Sequence, residues 1–461
     1  MAHLHRFVSL GDRFNSQVFT FIVPPKILRD YADLSSREFE YGYQRWTLSF
    51  VKSAKHIGVF LELKKATEGL NCTIDFVITL INHDHFTRNE ELRERKTQFT
   101  VDMPRHGNPH FIEIEELIKR NFAMPSGDFM VEVELRHIKT VFEDVIQLPR
   151  RPSEVNMHQI DYQNFETRHF HFGDSDWNVA LSHLGDDHSS TSQDVVRLTR
   201  LTNFDLLCKT KYAVVLGKGK KMTETDIMEV SLDSENEDPG YTLHQSLYNT
   251  ASHKGRLQLL VEMYSTTYYS RVRLEPLTKN KNRAHCYDRE QQAWLMESNV
   301  SGPYLKLRLY YTDVKNVPRR YTRFVNWSVA IVPALRTYKP VKGLDGPYTS
   351  YYSQQTDAEK GYEMVTNIRT EELNDPDNIY LDENDHTLTV EIHWLMSHLL
   401  YQVEYGKTDD VHKVQRHQMS RELLALQAEN YSLEKQLHSY QQAIAKKDSK
   451  GRYSEDGSLE D

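Results

Sequence analysis

The sequence predicts a mainly β protein: two antiparallel β-sandwich domains followed by a C-terminal coiled-coil helix. Three observations carry that prediction. Short runs of alternating apolar and polar residues recur from about residue 14 to residue 394, separated by polar and turn-forming stretches. Tyr (26) and Phe (19) are abundant, and aromatic residues favour strands. Past residue 408 the hydrophobic period changes from two to steps of four and three, the spacing of a coiled coil.

The first unit spans residues 1–145. Phe19–Val23 is an apolar run ended by Pro24 and Pro25. Residues 46–50 (WTLSF) and 59–63 (VFLEL) follow, and in residues 72–80 Ile74, Phe76, Ile78 and Leu80 share one face. Residues 83–98 are polar and read as an exposed loop or short helix. Residues 111–117 and 129–135 close the unit. A linker is expected at 146–164, where Pro149 and Pro152 limit both ladders and helices.

The second unit spans 165–400. It opens on a strand at Trp177–Leu181 and closes on residues 388–394, with further strands at 212–216, 257–264, 305–311 and 324–332. Two stretches, near 218–240 and 277–300, read as inserted solvated loops, because they carry charge blocks without an apolar period. Ser231 and Ser234 lie among acidic residues, the pattern acidophilic kinases select.

The helix is expected over 409–447. Leu423, Asn430, Leu437 and Ile444 occupy a positions, and Met419, Leu426, Leu433 and Tyr440 occupy d positions. Asn430 at a favours a parallel two-stranded register. Glu429 at g then faces Glu434 at e of the other helix, a like-charge pair that weakens it. Residues 448–461 read as a disordered tail.

Composition excludes several classes. A net charge of −9 argues against nucleic acid as a partner. No apolar run approaches the ~18 residues of a membrane span, and the N-terminus lacks the apolar stretch of a signal peptide. Cys72, Cys208 and Cys286 are far apart, so neither a disulfide framework nor a zinc spacing is expected, and a cytoplasmic location follows. His83/His85 and His169/His171 each supply two imidazoles and no local third ligand, so no metal is expected. No phosphate-binding loop, nucleophile elbow or zinc-protease motif occurs, so the chain reads as a non-enzyme without cofactors.

Several motifs of the first unit come in a recognisable order. They are Phe19–Val23, Ser36 before Phe39, Tyr41-Gly42-Tyr43 leading to Trp46, Gly58 before an alternating strand, and residues 111–117, Gly127-Asp128 and 129–135. This unit resembles the MATH, or TRAF-like, domain. Residues 172–177 (FGDSDW) and the order Gly361–Val365, Glu371–Leu373, Tyr380–Asp382 and 388–394 make the second unit similar to a divergent, expanded copy. The resemblance implies sandwiches that hold extended peptides along a sheet edge. One subgroup lines its groove with Trp-Gly-Phe. Here His106-Gly107-Asn108 and Lys360-Gly361-Tyr362 stand at that place, and the second keeps the Gly-aromatic pair.

These readings converge on an adaptor or scaffold. Its sandwiches bind proteins or linear peptides, and its helix forms a homodimer or a coiled-coil heterodimer. The alternative is a structural component of a cytoskeletal, ciliary or ribonucleoprotein assembly.

Overall fold

The computed structural model describes residues 1–11, 15–29, 33–124, 126–148, 163–184, 193–218, 222–232, 240–243, 250, 255–278, 282–334, 344, 346–375, 378–402 and 408–452. Strands dominate, as the sequence predicts. A branched sheet of 12 strands runs through the molecule, and three smaller sheets of five, five and four strands pack on it. Each smaller sheet closes its own hydrophobic core, so three sandwiches form.

The first sandwich sets strands His3–Ser9, Gln17–Val23, Leu70–Leu80, Glu90–Phe99 and Phe129–Gln147 against Phe39–Tyr41, Gln44–Lys52, His56–Leu63 and Arg105–Glu113. The period-two alternation sends Ile74, Phe76 and Ile78 inward, where they meet Phe19, Phe21 and Trp46, all essentially buried. Each such side chain contributes roughly 1.5–3 kcal/mol by leaving water.

The 19-residue strand Phe129–Gln147 does not stop at the edge of this sandwich. Its first half pairs with Gln17–Val23, and its second half pairs with the start of Arg256–Leu274, from Thr140↔Met263 to Gln147↔Arg256. It thereby closes the first sandwich and opens the second. Arg256–Leu274, also 19 residues, repeats the device. Its second half pairs with Leu388–Tyr401 and opens a third sandwich. Consecutive sandwiches share a continuous strand.

The residues expected to form one expanded second sandwich therefore divide between two cores. One gathers Phe142, Phe170, Trp177, Val214 and Val261; the other gathers Trp294, Leu307, Trp327, Met364 and Trp394. The stretch near 277–300 is not an insertion. It holds strands Arg283–Tyr287 and Ala293–Asn299, and Trp294 is fully buried. Near 218–240 the described part forms strands Thr223–Glu224 and Met228–Leu232 rather than a loop. Ser231 lies on the second of these, and Ser234 lies outside the described residues. At the expected linker, residues 146–147 and 163–164 are strand, and 149–162 lie outside the described residues.

The three sandwiches repeat one local motif. Phe39, Phe170 and Cys286 pair across from Trp46, Trp177 and Trp294. The indole N–H of Trp46 donates to the Tyr41 carbonyl (3.0 Å), and that of Trp177 to the Phe172 carbonyl (2.9 Å). In the third copy the turn is longer, and Trp294 donates to the Asp288 carboxylate at 3.0 Å. The longer turn, and Cys286 in place of Phe, hide this copy from sequence patterning. In the first two turns Gly42 and Gly173 have positive φ (60° and 65°). A Cβ on either would stand 2.4 Å from Ile138 or Thr266, in the middle of the shared strands.

The three turns meet at one place. Arg45 of the first donates to Asp174 of the second (2.8 Å). Arg289 of the third donates to Asp174 (2.9 Å) and to Glu40 of the first (3.1 Å). The guanidinium of Arg289 also sits 5.2 Å over the Tyr268 ring. Burial opposes the charge on Asp174, but Arg289 and Arg45 overcome it and hold the carboxyl down at about 2. The first and third sandwiches touch again at the chain ends. His3 Nδ1 lies 2.7 Å from the Tyr321 hydroxyl, His5 Nδ1 lies 2.9 Å from the Tyr401 carbonyl, and Phe7 packs on His398. Two shared strands and this contact arrange the sandwiches as a ring.

The C-terminal element is a helix, Thr408–Arg452. It starts where the heptad pattern predicts. It also covers residues 448–452, where a tail was expected; residues 453–461 lie outside the described residues.

Candidate partner-binding surfaces

In the first and third sandwiches the smaller sheet ends on a strand that, among the described residues, pairs with one neighbour: Arg105–Glu113 with His56–Leu63, and Tyr362–Arg369 with Tyr304–Tyr311. Such an edge offers backbone donors and acceptors to an added strand. The two sequence-predicted triads lie at these two edges, His106-Gly107-Asn108 within Arg105–Glu113 and Lys360-Gly361-Tyr362 at the start of Tyr362–Arg369.

On the first edge, Gly107 pairs with Phe60. A Cβ on Gly107 would fall 2.1 Å from the Val59 carbonyl oxygen and 2.8 Å from the Phe60 ring, so only glycine fits. His106 and Asn108 are engaged within the chain. The His106 Nε2 lies 2.8 Å from the Gln98 carbonyl and its ring packs on Phe99, while the Asn108 amide oxygen accepts the His110 N–H. The guanidinium of Arg105 covers Phe60 at 3.8 Å. This edge presents a cation over an aromatic ring.

On the edge of the third sandwich, a Cβ on Gly361 would stand 2.8 Å from the Tyr310 ring. Tyr362 is half-buried, with its ring 5.1 Å from Trp327 and 5.5 Å from Tyr348. It supports the core and lines the edge at once. Lys360 is exposed. Beyond it Glu363 and Val365 point outward while Met364, Thr366 and Ile368 point in. Glu363 binds Lys306 (2.9 Å) and Arg308 (2.5 Å), hydrogen bonds that lower its pKa.

Sequence reasoning missed the strand Tyr241–Thr242 of the second sandwich. Gly240-Tyr241 repeats the Gly-aromatic pair of Gly361-Tyr362, and Tyr241 pairs with Val196. The dipeptide was a usable signal, masked by the acidic run before it. The charged cluster of Glu40, Arg45, Asp174 and Arg289 was missed too. No spacing in the chain marks it, because it depends on three turns converging.

The helix presents two different faces. Met419, Leu423, Leu426, Leu433, Leu437, Tyr440 and Ile444 are each more than half exposed, and Asn430 is exposed with them. The face turned to the protein carries Arg421, whose guanidinium contacts the buried carboxylates of Glu132 and Glu134 on the first sandwich. Arg421 is an f position, opposite the a/d seam. The helix thus docks by its polar side and leaves its apolar side open.

Among the described residues no group of three His, Cys, Asp or Glu stands close enough to hold a metal ion. Cys72, Cys208 and Cys286 are buried, and burial raises their thiols, Cys72 and Cys286 to about 12. No helix among the described residues is long and apolar enough to cross a membrane.

The first sandwich is a MATH domain: residues 27–136 match that family's model. The match ends at Arg136, just before the shared strand crosses into the second sandwich. No curated protein matches the chain.

Proposed function

We propose that this chain is a non-enzymatic cytoplasmic adaptor. Its sandwiches hold partner peptides by strand addition, and its C-terminal helix pairs with a second helix. The MATH domain supports the first half, since such domains are protein-interaction modules. The observation that carries the reading is the repeated edge: Arg105–Glu113 and Tyr362–Arg369 each pair with one neighbour among the described residues, and a glycine, Gly107 within the first and Gly361 just before the second, packs against that neighbour. The open seam supports the second half. A parallel homodimer makes the chain bivalent, so weak peptide affinities add up to useful avidity.

Peptide competition tests this. Short linear peptides from captured partners should displace those partners, and Lys360→Glu with Val365→Glu should weaken capture without lowering stability. Capture that no linear peptide displaces would refute it. A second reading, a rigid block in a larger assembly, draws on the shared strands and the three-turn ion cluster. It predicts a large folded interface that short peptides leave intact.

A further inference from the structure

Two neighbouring strands of the first sandwich are buried on both faces. In Gln17–Val23 and in the first seven residues of Phe129–Gln147 every residue is buried. Period-two alternation accounts for one face: Phe19, Phe21 and Val23 meet Val131, Val133 and Leu135 in the first core. The other face turns away from that core. There Val18, Thr20 and Ile22 lie beside Glu134, Glu132 and Met130. The Glu132 side chain has 0% of its surface exposed and that of Glu134 5%. Two such carboxylates are costly to bury without a cation.

The C-terminal part of the chain lies on this outer face. Tyr401, at the end of Leu388–Tyr401, packs with Ile22, Ile81 and Met130. The helix Thr408–Arg452 then lays the Arg421 guanidinium against both Glu132 and Glu134. Arg136 contacts Glu134 as well, and nearby Glu91 and Arg93 pair with each other at 2.5 Å. Ala425, Glu429 and Ser432 are half-buried on the same side of the helix as Arg421. The a and d side chains from Met419 to Ile444 are exposed, a seam about 40 Å long at a rise of about 1.5 Å per residue.

We propose that Arg421 latches the helix into this seat and so fixes the geometry of the dimer: the occupant of the open seam is the parallel helix of a second copy, and the two first sandwiches are held rigidly on opposite outer sides of the helix pair. This rests on the reading that the helix self-associates. An f residue points away from the a/d seam, so the seat and the second helix take opposite sides of one helix. The edge Arg105–Glu113 belongs to the other sheet of the sandwich, across the core from the seat. With paired helices about 8–10 Å apart and each further layer about 10 Å out, the two edge-bearing sheets stand roughly 50 Å from each other. A fixed span of that size favours a partner that displays two peptides at a matching distance.

Double electron–electron resonance tests the latch and the dimer separately. Cys72, Cys208 and Cys286 are buried, so spin labels go to introduced cysteines. Lys119→Cys with Lys435→Cys, both exposed positions, in full chain diluted with unlabelled chain reads the helix against its own first sandwich. Lys119→Cys alone, undiluted, reads one protomer against the other. Each sample should give one narrow distance. Arg421→Glu sets a third carboxylate against Glu132 and Glu134, so both narrow distances should be lost while sedimentation still shows a dimer; Arg421→Lys should keep them. All five tryptophans lie buried in the sandwiches, and their fluorescence verifies that each variant stays folded. A broad distance within the wild-type chain, or a narrow one that survives Arg421→Glu, overturns the latch. A wild-type dimer with a broad distance between protomers overturns the fixed geometry alone, and a wild-type monomer overturns the self-association reading along with it.

Discussion

Replacing Arg289 by Met removes the group that ties the three sandwiches together. Its side chain is 8% exposed and contacts carboxylates of two other sandwiches, Asp174 at 2.7 Å and Glu40 at 3.0 Å. Met fills much of the space but leaves two largely buried carboxylates with only Arg45 nearby. Breaking a buried ion pair in this way costs about 3–5 kcal/mol. If about 400 residues unfold as one unit, an unfolding entropy of about 2.1 cal/mol/K per residue converts that to a Tm drop of about 4–6 °C. Differential scanning calorimetry reads both the drop and its shape. A single transition moving down as a whole supports a ring that unfolds together; a split transition shows sandwiches released from one another. A drop below about 1 °C, equal to that of the exposed control Arg93→Met, would refute the reasoning.

Further outcomes follow from the same structure. The Asp174 carboxyl is held at about 2 by Arg289 and Arg45, so its contribution is full above about pH 4 and is lost as pH falls towards 2; the stability gap between wild type and Asp174→Asn should close over that range in acid-unfolding curves. Burial pushes His398 down to about 3, so the folded state resists a proton that the unfolded chain accepts near 6.5; wild type should lose stability as pH falls below about 6.5, and His398→Leu should flatten that slope. Trp294→Ala empties the centre of the third core and should cost about 3–5 kcal/mol, with limited proteolysis opening residues 282–400 before the first sandwich. Leu426→Lys with Leu433→Lys changes two side chains that are more than half exposed, so Tm should move little while sedimentation shifts from dimer to monomer; a wild type that stays monomeric at high concentration would remove the self-association reading.

The first sandwich was legible because every landmark lay at ordinary spacing: Trp46 after a two-residue turn, Gly58, the alternation of 72–80 and the final strand from Phe129. The C-terminal helix was legible for the same reason, since helical spacing depends on local sequence alone. The third sandwich was not. Trp294 stands after a longer turn and faces Cys286, so its hairpin read as charged loop. Shared strands were equally hidden. Nothing in residues 129–147 tells a strand that ends from one that passes into the next core, because both alternate with period two. Of the candidate site, the two triads fall on edge strands of the smaller sheets, but the contacts of His106 and Asn108 depend on Gln98, Phe99 and His110, which sequence order does not bring together.

The central claim is that extended peptides add to the open edges of these sandwiches. Hydrogen exchange on the full chain, with and without a peptide selected from a displayed library of linear sequences, tests it most directly. The account predicts new protection at Arg105–Glu113 or Tyr362–Arg369, with the shared strands Phe129–Gln147 and Arg256–Leu274 unchanged. A library that enriches no peptide, or protection confined to surfaces away from both edges, would contradict it.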